Sequence, residues 1–343
     1  MTITANDARA NRVLRIGLVG AGWVTQHHLA GWQREGTRAR VVAIADPSTG
    51  AAQARAQAFG VDTVYAEARA MFAAERLDAV DIASPRETHA GLVRLAAAHG
   101  IPALCQKPLA PSFDEAARLV AGVSAIAGMR LMVHENWRFR PHYRQIARWL
   151  AAGRIGAVQQ AQMTLLSSGL LPDARGVLPL IERQPFIATL NRALVMEVLI
   201  HHIDTMRFLL GEMTVVHARI GRNSPAMAGE DHAAITFATA AGGTAMLLAN
   251  LGVAGAPSAL VDQLVLIGTL GTIRLAGDML SVEGAAPETL RFDAAKGYAD
   301  SYAAVISHFL DGLVDGHAFE TSPDDNLRTL RLVEDIYAQS PTP

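Results

Sequence analysis

Cysteine is nearly missing from this chain: Cys105 is the one thiol in 343 residues. A disulfide within the chain is therefore excluded, and so is a cysteine-rich zinc site. Nothing points to an oxidising compartment. Aromatic residues are scarce at 6%, so Ala and Leu must supply much of the interior. Strong charge of either sign is also absent. A net charge of −2 offers no basic field for nucleic acid and no polybasic patch for anionic lipid. The longest apolar runs are strand-sized and broken by Gly, Pro or charge, so no membrane-spanning helix is expected. Met1–Arg12 is polar and lacks an apolar stretch of signal-peptide length. These absences lead to the expectation of a cytoplasmic protein without nucleic-acid or membrane partners.

What is present suits a well-filled soluble protein. Hydrophobic residues make up 50% of a chain long enough for two domains. From Leu14 to Glu135, short apolar runs alternate with Ala-rich amphipathic segments. Strands are expected at Leu14–Gly20, Val41–Asp46, Ala79–Ser84, Ala103–Gln106 and Leu131–His134, with helices between them. Such alternation implies right-handed crossovers and a doubly wound parallel sheet covered on both faces. After about residue 150 the pattern changes to strands joined by Gly-, Pro- and Asn-rich loops, which predicts a mostly antiparallel sheet. One helix is expected at about Ala193–Leu210 and two near the end of the chain. Leu170–Leu190, with three prolines and no clear period, reads as a long loop near a site. The fold class is therefore α/β: a Rossmann domain over residues 12–135, then an α+β domain with a large antiparallel sheet over residues 136–343. A sheet covered by few helices leaves an apolar face to bury, which predicts a homodimer or homotetramer.

Four motifs carry chemistry. Gly20-Ala21-Gly22-Trp23-Val24-Thr25 follows the first strand directly. Gly20 can make the tight strand-to-helix turn. Gly22 would let a pyrophosphate approach free N–H groups at a helix N-terminus. Thr25 replaces the third glycine of that fingerprint. Asp46 closes the second strand, where an acid can take both adenosine ribose hydroxyls and oppose a 2′-phosphate. It can at the same time serve as a helix N-cap, since Pro47 follows and a helix starts nearby. No Arg follows it directly, so NAD is favoured over NADP. The third motif, Cys105-Gln106-Lys107-Pro108, ends a strand, the edge at which ligands of open α/β sheets bind. A Lys there can exchange a proton or stabilise charge, though Lys before Pro is commonly an exposed loop residue. The last is Glu197 with His201, four apart on a helix, where the acid can orient the imidazole. His202 lies about 100° around the helix from His201, so the pair does not suit one metal ion and none is expected. A buried structural Glu–His pair is the other reading.

Together these motifs resemble the glucose-fructose oxidoreductase/inositol dehydrogenase (Gfo/Idh/MocA) family over nearly the whole chain. The resemblance also rests on Ser84-Pro85 with His89, Asn136-Trp137-Arg138-Phe139, Gly229-Glu230-Asp231 and Gly268–Thr272. It implies a nicotinamide cofactor held by Gly20, Gly22, Trp23, Val24, Asp46, Ser84, Pro85, His89, Gln106 and Lys107. It also implies catalysis by Lys107, His201 and Glu197, with Asn136 and Arg138 helping to bind substrate. Three residues depart from the family pattern. Glu197 stands for Asp, Gln106 for Glu, which removes a negative charge beside Lys107, and Leu199 for Gly, which threatens the usual pocket shape. The Gln-Lys-Pro form, Val133–Arg138 and Gln184-Pro185-Phe186 are similar to a D-apiose dehydrogenase-like branch. The implied activity is hydride transfer between NAD and a hydroxyl or carbonyl carbon of a small sugar or polyol. Reduction of another carbonyl, imine or pyrrole-type compound stays open, as does a non-catalytic NAD-binding regulator.

Overall fold

The computed structural model describes residues 12–340, so the polar N-terminal stretch read above lies outside it, apart from Arg12. The chain divides into two units. One runs up to Phe139 and includes Tyr298–Arg328; the other holds Arg140–Gly297 and the residues from Thr329 onward.

In the first unit, short apolar strands alternate with helices: β1 (Leu14–Val19), α1 (Thr25–Arg34), β2 (Ala39–Ala45), α2 (Thr49–Phe59), β3 (Thr63–Tyr65), α3 (Ala68–Ala74), β4 (Ala79–Ile82), α4 (Arg86–Ala98), β5 (Ala103–Gln106), α5 (Phe113–Ser124) and β6 (Leu131–His134). All strand pairs are parallel, in the order β3-β2-β1-β4-β5-β6. The strands are apolar on both faces because helices cover both. β3 and α3 escaped the sequence pattern: a three-residue edge strand and a seven-residue helix are too short to show a period.

The second unit begins with α6 (Pro141–Ala151) and β7 (Val158–Leu166), then α7 (Pro179–Arg183) inside the expected loop. A π-helical turn at Leu194–Leu199 runs into α8 (Ile200–Leu210). Strands β8 (Met213–Gly221), β9 (His232–Thr239), β10 (Thr244–Asn250), β11 (Asp262–Gly268), β12 (Thr272–Ala276), β13 (Met279–Glu283) and β14 (Glu288–Arg291) follow. They form one eight-stranded sheet in the order β14-β13-β12-β11-β7-β10-β9-β8, antiparallel except for the β7–β10 pair. β13 and β14 are short runs of five and four residues, too short to show a clear strand period.

The last two helices are α9 (Ala294–Asp315) and α10 (Pro323–Gln339). The change of pattern along the sequence places everything after residue 135 in the second domain. Instead Tyr298–Arg328 belongs with the first unit. Val305, Ile306, Phe309 and Leu313 of α9 are buried in one cluster with Leu14, Ile16, Trp32, Leu104 and Met132. Helix periodicity shows that α9 has an apolar face, but it does not say which sheet that face covers. Among the described residues no helix is long and apolar enough to cross a membrane.

Candidate functional site

The carboxyl edge of the first sheet brings several predicted residues together. β1 pairs with β2 and β4, and β4 pairs with β5. Asp46, Gly20, Ser84 and Lys107 therefore lie just beyond the carboxyl ends of four adjacent strands.

Gly20 has φ of +109°, and a Cβ there would lie 2.5 Å from the Ala83 carbonyl oxygen. Only glycine fits. At Gly22 a Cβ would meet nothing within 4 Å, so the main chain is open on that side. Thr25, in the third fingerprint position, is fully buried, and its hydroxyl donates to the Gly22 carbonyl at 2.7 Å. Its side chain thus ties the turn that a glycine would merely permit. Asp46 accepts from the Ala21 N–H at 2.7 Å through one carboxylate oxygen and from the Ser48 N–H at 2.8 Å through the other. The acid braces the glycine turn and closes a turn at Ser48; it is not the helix N-cap that the sequence offered as its structural role, because Ser48 precedes α2 and no side chain caps that helix. Trp23 is 47% exposed beside this turn, and Val24 packs inward against the core. Arg55, which no short-range pattern flags, reaches from α2 to donate to the Gly22 carbonyl at 3.2 Å. The exposed main chain at Gly22, the helix start and the Asp46 carboxylate are the donor and acceptor set that a dinucleotide requires.

Ser84 and Lys107 follow β4 and β5. His89 joins their loops: its ring nitrogens face the Pro108 carbonyl at 2.8 Å and the Ser84 carbonyl at 2.9 Å. The residue is 1% exposed, so its ring holds the two loops together rather than standing open to a ligand. Gln106 is also buried, and Lys107 is half-buried. Asn136 and Arg138, expected to bind substrate, are buried instead. Asn136 donates to the Ser301 hydroxyl at 2.8 Å, and Arg138 pairs with Asp325 at 2.7 Å. Those partners lie far along the chain, and a buried guanidinium needs such an acid.

In the second unit the expected continuous helix over 193–210 comes in two parts. Glu197 lies in the π-helical turn and His201 in the first turn of α8. Single π turns occur frequently at functional sites. The turn's start is fixed by Glu230, which accepts from the Val195 N–H at 2.9 Å and from the Tyr337 hydroxyl at 2.6 Å. Burial, and then the charge of Glu230, push the Tyr337 hydroxyl well up. Gly229 is needed because a Cβ would lie 2.6 Å from the Leu190 and Asn191 carbonyl oxygens. Glu197 is half-buried and His201 is 8% exposed. Leu199 is fully buried, so it fills the interior at that turn.

His202 Nε2 lies 2.9 Å from Asp262 Oδ1. The Tyr143 hydroxyl donates to the same carboxylate at 2.8 Å, and Arg140 lies 3.4 Å from it. Burial alone would raise the Asp262 carboxyl, but His202, Arg140 and Tyr143 together hold it well below the usual carboxylate range. Neighbouring His142 is lowered to about 4 by burial and by Arg140. Asp262 was missed as an anchor; its only signal is an acid opening an apolar strand.

A parallel sheet of this order with such a glycine turn defines a dinucleotide-binding domain. The chain belongs to the Gfo/Idh/MocA oxidoreductase family: the family's NAD-binding Rossmann-fold model matches residues 14–134 and its C-terminal-domain model matches residues 143–274. It is 34% identical to a D-apiose dehydrogenase of Paraburkholderia graminis, over 93% of this chain and 86% of that one. It is 32% identical to a D-apiose dehydrogenase of Rhizobium rhizogenes, over 94% of each. Among solved structures, an Agrobacterium radiobacter oxidoreductase in complex with NAD+, L-tartaric acid and magnesium is similar, with 30% identity, a TM-score of 0.88 and 96% of each chain covered. The protein is thus an NAD-binding oxidoreductase, as its sequence implied.

Proposed function

We propose that this chain oxidises a hydroxyl carbon of a small sugar, an aldose such as apiose, with NAD as hydride acceptor. The observation that carries the reading is the near-full-length similarity to two D-apiose dehydrogenases, with a lysine at the carboxyl end of β5 beside the cofactor edge. NAD, when bound, accepts the hydride. Lys107 hydrogen-bonds the substrate oxygen and stabilises the developing alkoxide. His201 takes the hydroxyl proton, and Glu197 orients its ring. Lys107 and the cofactor groups belong to the first unit, and Glu197 and His201 to the second. A cytoplasmic location fits this use of NAD. The test is NAD reduction over a panel of aldoses and polyols. Turnover is expected with a small aldose; activity restricted to reduction of carbonyls or imines, or none at all, overturns the reading.

Cofactor preference follows from Asp46, whose carboxylate would sit against a 2′-phosphate. A kcat/KM favouring NAD over NADP is expected, and Asp46→Ser should narrow it. Preference for NADP in the wild type refutes the assignment.

The reading also includes a homodimer or homotetramer. Met246, Leu248, Ile267 and Met279 point outward on one face of the large sheet, by its register, and are each at least 39% exposed. Burying such side chains drives association. Light scattering should give a multiple of 36.5 kDa, and Met246→Asp with Leu248→Asp should shift it towards monomer. A wild-type monomer at micromolar concentration contradicts this.

A further inference from the structure

A chain of buried polar groups ends at the main chain of Lys107, and none of the roles described so far uses it. Asp81 on β4 and His28 on α1 are both fully buried. His28 Nδ1 lies 2.8 Å from Asp81 Oδ2, which also accepts from Trp32 Nε1 at 2.8 Å. His28 Nε2 lies 3.1 Å from Gln106 Nε2, and Gln106 Oε1 accepts from the Lys107 N–H at 2.7 Å.

Donor and acceptor rules settle every proton in this chain from one end. The Lys107 backbone N–H can only donate, so the oxygen of the Gln106 amide must face it. The amide nitrogen then faces His28 and can only donate, so His28 Nε2 must accept. The His28 proton is therefore on Nδ1, where Asp81 accepts it. The opposite amide orientation would set N–H against N–H at Lys107.

We propose that Asp81, His28 and Gln106 are positioning residues that hold the Lys107 main chain through a single neutral tautomer of His28. Gln106, where the family resemblance leads one to expect Glu, is what makes that tautomer compatible with the lysine. A carboxylate at 106 could still accept from the Lys107 N–H, but its second oxygen could face His28 only if that ring carried both protons. The other groups around His28 leave this assignment in place. The His134 ring stacks on it at 4.2 Å, Tyr302 of α9 lies edge-on at 5.3 Å, and His27 adjoins it on α1. Cys105 is buried nearby, and burial followed by the Asp81 charge pushes its thiol up, so it remains neutral.

The consequence for turnover rests on Lys107 acting at the substrate; the tautomer does not. The experiment therefore has two readouts. In protein labelled with ¹⁵N-histidine, at neutral pH, His28 should show one protonated nitrogen, Nδ1, in the wild type and two in Gln106→Glu. The His28 signal is identified by its loss in His28→Gln. Gln106→Met, of similar length, loses both contacts. Its kcat should fall by about 10²-fold, the scale of a small misplacement of a reacting group. Gln106→Glu keeps the Lys107 contact and should recover most of that loss. A wild-type His28 protonated on Nε2 overturns the proposal, as does a Gln106→Met enzyme of normal kcat. If no sugar is turned over by any variant, the dehydrogenase reading fails and the nitrogen signals still decide the tautomer.

Discussion

Lys107→Met is expected to lower kcat by roughly 10²–10⁴-fold while leaving NAD affinity nearly unchanged. The substitution keeps most of the side-chain length and removes the charge. In the proposed chemistry that charge acts only as the substrate oxygen becomes an alkoxide, so its loss falls on the rate and not on ground-state binding. NAD affinity, read by quenching of the exposed Trp23 beside the glycine turn, reports separately on the cofactor edge. His201→Ala should show the same division, because the proton acceptor is also absent from cofactor binding. Glu197→Gln should lose less, since it would orient the ring rather than take the proton. Glu197→Asp restores the residue expected from the family resemblance and should remain active. Near-normal kcat in Lys107→Met on the true substrate would falsify the mechanism while leaving the fold untouched.

Asp262→Ala is expected to destabilise the protein by about 3–5 kcal/mol, the usual cost of leaving buried charged or polar partners unmatched. Three partners lose their acceptor: His202, Tyr143 and Arg140. His202 adjoins His201 on α8, so the loss should also lower kcat by loosening the turn that carries the proposed base. The pH dependence has a definite sign. The folded-state carboxyl of Asp262 is depressed below its unfolded value, so the unfolded chain takes up the proton first as pH falls. Its contribution is fully present above about pH 5 and is lost as pH falls through the unfolded carboxyl range, around 4, towards the lower folded value. Urea unfolding of wild type and Asp262→Asn at equal protein concentration should differ most near pH 7 and converge in acid. A difference that stays constant down to pH 3 would show that the carboxylate charge is not what anchors the helix.

Features held by short-range interactions are legible in the sequence, and those held by long-range ones are not. β1, β5 and β6 lie almost where their apolar runs put them, because a strand's hydrophobic run is a local property of its side chains. The Gly20 turn and Asp46 were likewise legible, since a strand-to-helix turn uses residues a few positions apart. Arg138 shows the opposite case. Its place in a family-like stretch suggested substrate binding, whereas its guanidinium pairs with Asp325, 187 residues later. His89 reads as a cofactor residue by its motif, yet its ring holds the loops of Ser84 and Pro108 together. Asp325 and Pro108 both lie outside a short sequence window around the residues they hold.

By itself, then, the sequence determined the order of the elements, the doubly wound first sheet, the largely antiparallel second one, the glycine turn and the lysine at a strand end. These depend on hydrophobic period and on the conformational freedom of single residues. Only the tertiary structure decided that Tyr298–Arg328 joins the first unit, that a π turn carries Glu197, and that Asp262 anchors His202. It also decided that Asp81, His28 and Gln106 form one polar chain behind Lys107. The physical reason is common to all four. A buried polar or apolar group must find a partner, but many residues of the right chemistry are available along the chain, and only the folded packing selects among them.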